Sequence, residues 1–428
     1  MKKVLIITYY WPPAGGPGVQ RVLKFAKYLP EFGWQPIILT VKNGDFPAID
    51  ESLISEIPQE CKVYKTKSIE PYNLYRKFTG LRSDEKIPTY VLNKKENEGF
   101  KDKIAKWVRA NLFIPDARIG WLPFLVKEGL KIVEKEKPAV IFSSSPPHSL
   151  QIGAYKIARK TGLKWIADFR DPWGDAFWQK DAKLIRSNRA QEKDNRLERK
   201  TLKAADFIIS VSDSISELFR FKVNRNNYFT IPNGFDDTDF KYHWHKSEKF
   251  KITYTGNVGK DQNLDNLFSA ISALDEKTKN ILEINFFGNL HQSVLKNIHK
   301  YHLVDLIKIN SYITHDENIE VITKSDMLML CIPNVPNNEG IVTGKLFEYL
   351  ATGNFILGIG PKTGDAAKIL KKTNAGVMFD FNEDPREILL EQIENWENNR
   401  RPVVNQEEIQ KYSRKYLTEK LVRILEND

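Results

Sequence analysis

Short apolar runs, each followed by a stretch of helical periodicity, recur along this chain in two successive series. That alternation restricts the fold more than any other feature. The first series is VLIITYY (4–10), PIILTV (36–41), AVIFSSS (139–145), KWIADF (164–169), FIISVS (207–212) and YFTIPN (228–233). Helical patterns such as VQRVLKFAKYL (19–29) and SLQIGAYKIARKTG (149–162) lie between several of them. An unbroken apolar run reads as a strand buried on both faces, and the intervening helices supply the cover. The rhythm breaks over the turn-rich, charged IPNGFDDTDFKYHWHKSEKF (231–250). It restarts with KITYTG (251–256), LEINFFG (282–288), IKINSYI (307–313), MLMLCIP (327–333) and NFILGIG (354–360).

The expectation is an α/β protein with two Rossmann-like, doubly wound domains, 1–235 and 249–404, joined by a linker at 236–248. A length of 428 residues agrees with more than one core. The tail NQEEIQKYSRKYLTEKLVRILEND (405–428) reads as one long amphipathic helix that serves either half, a return to the first domain included. Sheets of this kind bind ligands at the carboxyl ends of their strands. With two units facing each other, the cleft between them is the default site. The less regular insert, 66–135, contains the basic amphipathic KDKIAKWVRANLF (101–113). It suits either an anionic membrane surface or packing on its own domain with a solvated lysine face. The mixed-charge run 183–205 reads as an exposed helix.

The net charge of +10 and a pI near 9.2 favour an anionic partner: nucleic acid, anionic lipid or a phosphorylated ligand. The lysines are scattered and no nucleic-acid module is present, which sets nucleic acid aside. Two cysteines, Cys61 and Cys331, form neither a disulfide framework nor a zinc spacing and fit a reducing compartment. The start, MKKVLIITYYWPPAGG, has the basic opening of a signal peptide, but aromatics and prolines stand where a cleavage site belongs. No window reaches transmembrane length. A cytoplasmic protein is expected, with peripheral contact at the inner membrane face left open.

Four strand ends carry candidate chemistry. WPPAGGPG (11–18) precedes a helix, so Gly15 and Gly16 either cradle an anion with backbone amides or make a plain turn. The glycine spacing is not a dinucleotide fingerprint, and the second strand ends without the acidic residue that would hold a ribose. SSSPPHS (143–149) presents His148 at a strand end, as donor, acceptor or base, or in a structural hydrogen bond. DFRDPWGD (168–175) sets Asp168, Arg170 and Asp171 together, either as a structural ion network or to hold an acceptor hydroxyl. Arg170 leans to the structural role and Asp171 stays open. YTGNVGKDQN (254–263) joins strand to helix through Gly256 and Gly259, with Lys260 beside the expected helix start. Close backbone approach with a cation suits a diphosphate; an ordinary turn is the alternative.

EGIVTGKLFEYLATGN (339–354) reads as a two-turn helix opened by Gly344 and stopped by Gly353. Leu346, Phe347, Leu350 and Ala351 form its apolar face, with Lys345, Glu348 and Thr352 on the other side. Lys345 and Glu348 pair on a solvated face, or else Glu348 sits deep and needs a partner, since the following strand is wholly apolar. The two adjacent hydroxyls of a ribose would suit a carboxylate. Thr343 and the amides of Gly344 and Lys345 would then face phosphates.

The ordered set YYWPPAGGPGVQR, SSSPPHS, DFRDPW, IPNGFD, YTGNVG and GKLFEYLATGN resembles the retaining glycosyltransferases of family four, over nearly the whole chain. The resemblance implies a GT-B fold and transfer of a sugar from a nucleotide-diphosphate sugar to a hydroxyl acceptor, a glycan or a lipid-linked one, with retention. It implies no metal or other cofactor, the nucleotide sugar being a substrate. By resemblance, Glu348 holds ribose, His148 contacts the transferred sugar, and Gly15 and Gly16 lie near the diphosphate. Lys260 and Lys345 are the candidate phosphate cations, and Gly256, Asn257, Thr343 and Gly344 line the donor site. Two departures stand out. The family's paired glutamates are eight positions apart, whereas Glu339 and Glu348 are nine apart. The family's arginine beside the fifth-motif glycine is Asn257 here. Surface polysaccharide or glycolipid synthesis is the leading reading. A nucleotide-sugar epimerase and a catalytically silent nucleotide-sugar binder are the alternatives.

Overall fold

The computed structural model describes residues 1–46, 48–69, 107–175 and 185–427. It divides into two compact units, Met1–Ile231 with Thr418–Asp428, and Pro232–Leu417.

The first unit carries strands β1 (Lys2–Thr8), β2 (Trp34–Val41), β3 (Lys62–Thr66), β4 (Val140–Ser145), β5 (Lys164–Phe169), β6 (Phe207–Ser210) and β7 (Tyr228–Thr230). They form one sheet in the order β3-β2-β1-β4-β5-β6-β7, with every pairing parallel. Its helices include α1 (Pro17–Tyr28), α2 (Leu122–Glu136), α3 (Ser149–Thr161), α4 (Asn188–Ala204) and α5 (Asp213–Lys222). One core cluster packs Leu5, Ile7, Ile37 and Leu39 of the sheet with Leu125, Ile132 and Ile157 of α2 and α3. The chain reverses its direction of growth between β1 and β4. The loops after these two strands therefore diverge and leave a crevice at their carboxyl ends.

The second unit repeats the plan. Strands β8 (Phe250–Thr255), β9 (Leu282–Phe287), β10 (Ile307–Asn310), β11 (Met327–Cys331), β12 (Phe355–Ile359) and β13 (Gly376–Phe379) run parallel in the order β10-β9-β8-β11-β12-β13. Here the reversal lies between β8 and β11. Its helices include α6 (Asp265–Ser272), α7 (Gln292–Lys300), α8 (His315–Thr323), α9 (Gly344–Thr352), α10 (Asp365–Thr373) and α11 (Arg386–Glu397), and α12 (Arg414–Glu426) starts in this unit and continues into the first. Two buried clusters flank this sheet, one containing Leu267, Phe268 and Leu389, the other Ile322, Leu346, Phe347 and Leu370.

Three local outcomes differ from the sequence expectation. β3 and β13 carried no apolar run, because each is a short edge strand whose residues are largely half-buried or exposed. The tail is two helices, Gln406–Gln410 and α12, not one. Between them Ser413 bridges to Phe235: the Phe235 amide donates to the Tyr412 carbonyl at 3.2 Å and the Arg414 amide to the Phe235 carbonyl at 2.7 Å. Those bonds take the backbone groups a continuous helix would use. From Thr418 onward the chain rejoins the first unit, where Glu426 pairs with Lys2 at 3.0 Å. Of the basic segment expected over 101–113, residues 107–112 are helical and 101–106 lie outside the described residues. No helix among the described residues is long and apolar enough to cross a membrane.

Candidate active site

In the first unit the candidate residues converge on the β1–β4 switch point. Gly16 is the N-cap of α1 at φ 85°, and a Cβ there would meet open space, so its backbone is approachable. Gly15 is different. It is buried, its amide donates to the Ala48 carbonyl at 2.9 Å, and a Cβ would lie 3.1 Å from that of Asp50. The pair thus divides into one glycine open to solvent and one needed for packing.

The serines of β4 are buried and bonded. Ser143 donates to Gln151 Oε1 at 2.5 Å, and Ser144 to Asp168 Oδ2 at 2.6 Å. Asp168 also takes a two-pronged contact from Arg21, with neither side chain exposed. Asp168 is thus tied to Arg21 rather than hydrogen-bonded to Arg170 as the sequence suggested. Arg170 is a clamp. Its guanidinium donates to the carbonyls of Gly18 (2.6 Å), Pro146 (3.3 Å) and Ser145 (3.4 Å), tying the loop after β1 to the loop after β4.

His148 ends the β4 loop and is only 6% exposed. Its ring stacks on Trp173 at 5.0 Å, Nδ1 bonds Ser145 Oγ at 3.1 Å, and the ring donates to the Pro172 carbonyl. Burial, reinforced by the charges of Arg170 and Lys222, pushes its pKa down to about 3. The imidazole is therefore neutral, a hydrogen-bonding group rather than a proton carrier at neutral pH. Asp171 is half-buried. Burial raises its carboxyl above the usual range against the opposing pull of Arg170, and no hydrogen bond reaches it among the described residues.

In the second unit the site is built around the N-terminus of α9. Thr343 is the N-cap, yet its hydroxyl makes no capping bond and is buried without a partner. A Cβ on Gly344 would meet nothing within 4 Å. The first amides of the helix thus face free space with an unused hydroxyl beside them, an arrangement suited to an anion. Lys345 lies 3.7 Å from the centroid of the Tyr254 ring, and its Nζ is 3.2 Å from where a Cβ on Gly256 would be. No carboxylate pairs with it among the described residues, and burial lowers its pKa to about 7. The Lys345–Glu348 surface pair is not formed.

Glu348 is half-buried one turn along. Oε2 accepts from Asn318 Nδ2 of α8 at 3.2 Å. Burial raises its carboxyl, opposed by His315, Arg414 and the Asn318 bond and reinforced by Asp239. Tyr349, beside it, is fully buried and ties α9 to the end of β8: its hydroxyl accepts from the Thr255 amide at 3.1 Å. Gly256 follows β8 at φ 97°, and Gly288 packs so closely that its Cβ would lie 2.8 Å from the Gly256 backbone. Gln262 holds this loop, accepting from the Gly259 amide (2.7 Å) and donating to Tyr254 Oη (2.9 Å) and the Cys331 carbonyl (3.1 Å).

The remaining predicted residues are placed less centrally. Asn257 spends its side-chain oxygen on the Asn289 amide at 3.0 Å. Lys260 is exposed in the loop, five positions before α6 opens at Asp265, so it does not adjoin a helix start. Glu339 is exposed in a 3-10 turn at Asn338–Gly340 and makes no recorded contact with Glu348. Asn318, Tyr254, Gln262 and Tyr349 carried no sequence signal of their own, because each acts through a contact distant in the chain. No group of three His, Cys, Asp or Glu side chains suited to a metal occurs among the described residues.

Two doubly wound parallel sheets, each with glycines and charged groups at its switch point, define a GT-B fold. Residues 88–239 match the sequence profile described as Glycosyltransferase Family 4. No curated protein matches the chain by sequence. Among solved structures it is similar to sucrose-phosphate synthase from Thermosynechococcus elongatus, at 13% identity and a TM-score of 0.64, covering 99% of this chain and 98% of that one. Anabaena HepE, in complex with UDP and glucose, matches at 10% identity and TM-score 0.61, covering 99% of each chain. S. aureus TarM, in a complex that includes UDP, matches at 11% and 0.59, covering all of both chains. At these identities the structural likeness is one of fold.

Proposed function

We propose that this chain is a retaining glycosyltransferase that moves a sugar from a nucleotide-diphosphate sugar to a hydroxyl acceptor in the making of a surface polysaccharide or glycolipid. The observation that carries the reading is the cluster on α9. An open helix N-terminus, an unpaired lysine and a half-buried carboxylate with one oxygen unbonded follow one another within six residues. Their order matches diphosphate followed by ribose. Glu348 accepts from the ribose hydroxyls, while Lys345, Thr343 and the amides of Gly344 and Lys345 take the diphosphate. Gly256 allows the close approach, with Asn257 and Glu339 at the periphery of this site and Lys260 as a second cation.

In the transfer the bond from sugar C1 to the phosphate oxygen breaks, and a bond from C1 to the acceptor oxygen forms on the same face. The acceptor proton leaves on the diphosphate. Negative charge grows on that leaving group, so a preorganised ammonium and helix amides lower the barrier. We assign the sugar and acceptor contacts to the first unit: a neutral His148 in contact with the transferred sugar, Asp171 accepting from an acceptor hydroxyl, and Gly16 offering backbone. Gly15 supports that loop by packing. The nucleotides named with HepE and TarM support a nucleotide-sugar donor, and the net charge of +10 suits both a diphosphate and an anionic inner membrane face carrying a lipid-linked acceptor.

The test is thermal-shift screening against a panel of nucleotide sugars, followed by turnover with and without candidate acceptors. Transfer that depends on an acceptor supports the reading. Sugar conversion from donor alone would favour an epimerase. Binding with neither transfer nor hydrolysis across the panel would make the chain a silent binder.

A further inference from the structure

We propose that Asn318 is the positioning residue that orients Glu348 and so sets a preference for ribonucleotides over 2′-deoxyribonucleotides; this rests on the ribose reading of Glu348. The Asn318 side chain makes one hydrogen bond, from Nδ2 to Glu348 Oε2 at 3.2 Å. Its own carbonyl oxygen, Oδ1, is buried with no partner. Turning the amide over would not relieve this, because it would set Oδ1 against a carboxylate oxygen, acceptor against acceptor. A buried orphan acceptor is costly. Asn318 therefore holds its orientation for the bond to Glu348 alone.

That bond occupies one carboxylate oxygen and fixes the plane of the other, Oε1, which has no recorded partner among the described residues. The platform is itself held. α8 begins with a reciprocal capping box between Thr314 and Glu317, and His315 Nε2 pairs with Asp239 Oδ2 at 3.2 Å. A vicinal diol reads two acceptor directions at once. Losing the plane of the carboxylate should therefore remove the contribution of the 2′-hydroxyl while sparing contacts to the diphosphate.

The probes are UDP, GDP, ADP and CDP, each beside its 2′-deoxy counterpart, titrated into the full chain and its variants. The wild type is expected to favour one ribonucleotide over its deoxy form by about tenfold or more, the loss of a hydrogen bond to a charged group. In Asn318→Ala the ratio should fall to within about threefold, with deoxy affinity unchanged. Asn318→Asp keeps the shape and supplies a second check. Two facing carboxylates should weaken ribonucleotide binding at pH 8 and recover part of it at pH 6, as the pair takes up a proton. The charged groups facing Glu348 are His315 on α8, Asp239 before β8, Arg414 on α12 and Lys345 on α9. Variant and wild type are therefore compared at equal pH.

An unchanged ratio in both variants, or equal loss of ribo and deoxy affinity, overturns the proposal. Glu348→Ala separates the two levels. If it keeps the ratio, the ribose reading fails; if it abolishes the ratio while Asn318→Ala does not, only the role of Asn318 fails. Binding of none of the four nucleotides overturns both.

Discussion

In the proposed site, Lys345 would make nucleotide binding a proton-linked event. Its Nζ stands over the Tyr254 ring without a carboxylate partner among the described residues, and burial lowers its pKa from 10.5 to about 7. A bound diphosphate supplies two neighbouring negative charges, which favour the ammonium and raise that pKa back. Binding above pH 7 then takes up a proton, and affinity falls about tenfold per pH unit as free Lys345 deprotonates. Between pH 7 and pH 9 the dissociation constant for UDP, or whichever diphosphate the screen selects, should rise by about fiftyfold, roughly 2.3 kcal/mol. The terminal phosphate of the probe is already ionised over this range. Calorimetry at pH 8 in two buffers of different ionisation enthalpy should show uptake approaching one proton per nucleotide. Lys345→Met should bind weakly at every pH and lose the slope. The stability of the free protein follows with a definite sign. The folded pKa lies below the unfolded one, so between pH 7 and 10.5 the unfolded chain holds more protons and stability rises with pH. Lys345→Met should remove that dependence and stabilise the free protein at pH 7, by on the order of 2 kcal/mol once partial exposure is allowed for. A flat dissociation constant from pH 7 to 9, or an unchanged slope in the methionine variant, would refute the role of Lys345.

Glu348→Ala should weaken nucleotide binding by about a hundredfold and cut turnover strongly, with the circular dichroism spectrum unchanged; normal binding would remove its ribose role. Arg170→Ala strands the carbonyls of Gly18, Ser145 and Pro146, so chemical denaturation should show a loss of about 1–3 kcal/mol, while nucleotide affinity stays as in the wild type. Arg21→Met leaves Asp168 charged in a fully buried position, and unfolding midpoints should report a loss of about 3–5 kcal/mol, partly recovered in the double variant Arg21→Met/Asp168→Asn. Gly256→Ala forces a side chain to φ 97° and pushes a methyl to 3.2 Å from Lys345 Nζ, so about 1 kcal/mol of stability and some nucleotide affinity should go together; full affinity would place the diphosphate elsewhere.

The fold was legible because strands buried on both faces leave an uninterrupted apolar run and their covering helices leave a second period. VLIITYY and MLMLCIP needed no tertiary information. The helix of GKLFEYLATG was legible too, since Gly353 adopts the left-handed cap its position required. The edge strands β3 and β13 escaped because most of their residues are half-buried or exposed, and the break at Tyr412–Ser413 escaped because its partner, Phe235, is remote in the chain. The same distinction divides the candidate site. Residue types at strand ends and at one helix start follow from local pattern, so Gly16, Gly344, Lys345 and Glu348 could be picked from the sequence. Their electrostatic character could not. Lys345 lies over a tyrosine ring with no carboxylate partner among the described residues, burial and the charges of Arg170 and Lys222 keep His148 neutral, and Asn318 reaches Glu348 from another helix. Charge state and orientation depend on what surrounds a group in space, and the sheet order that brings those neighbours together is decided only when the chain folds.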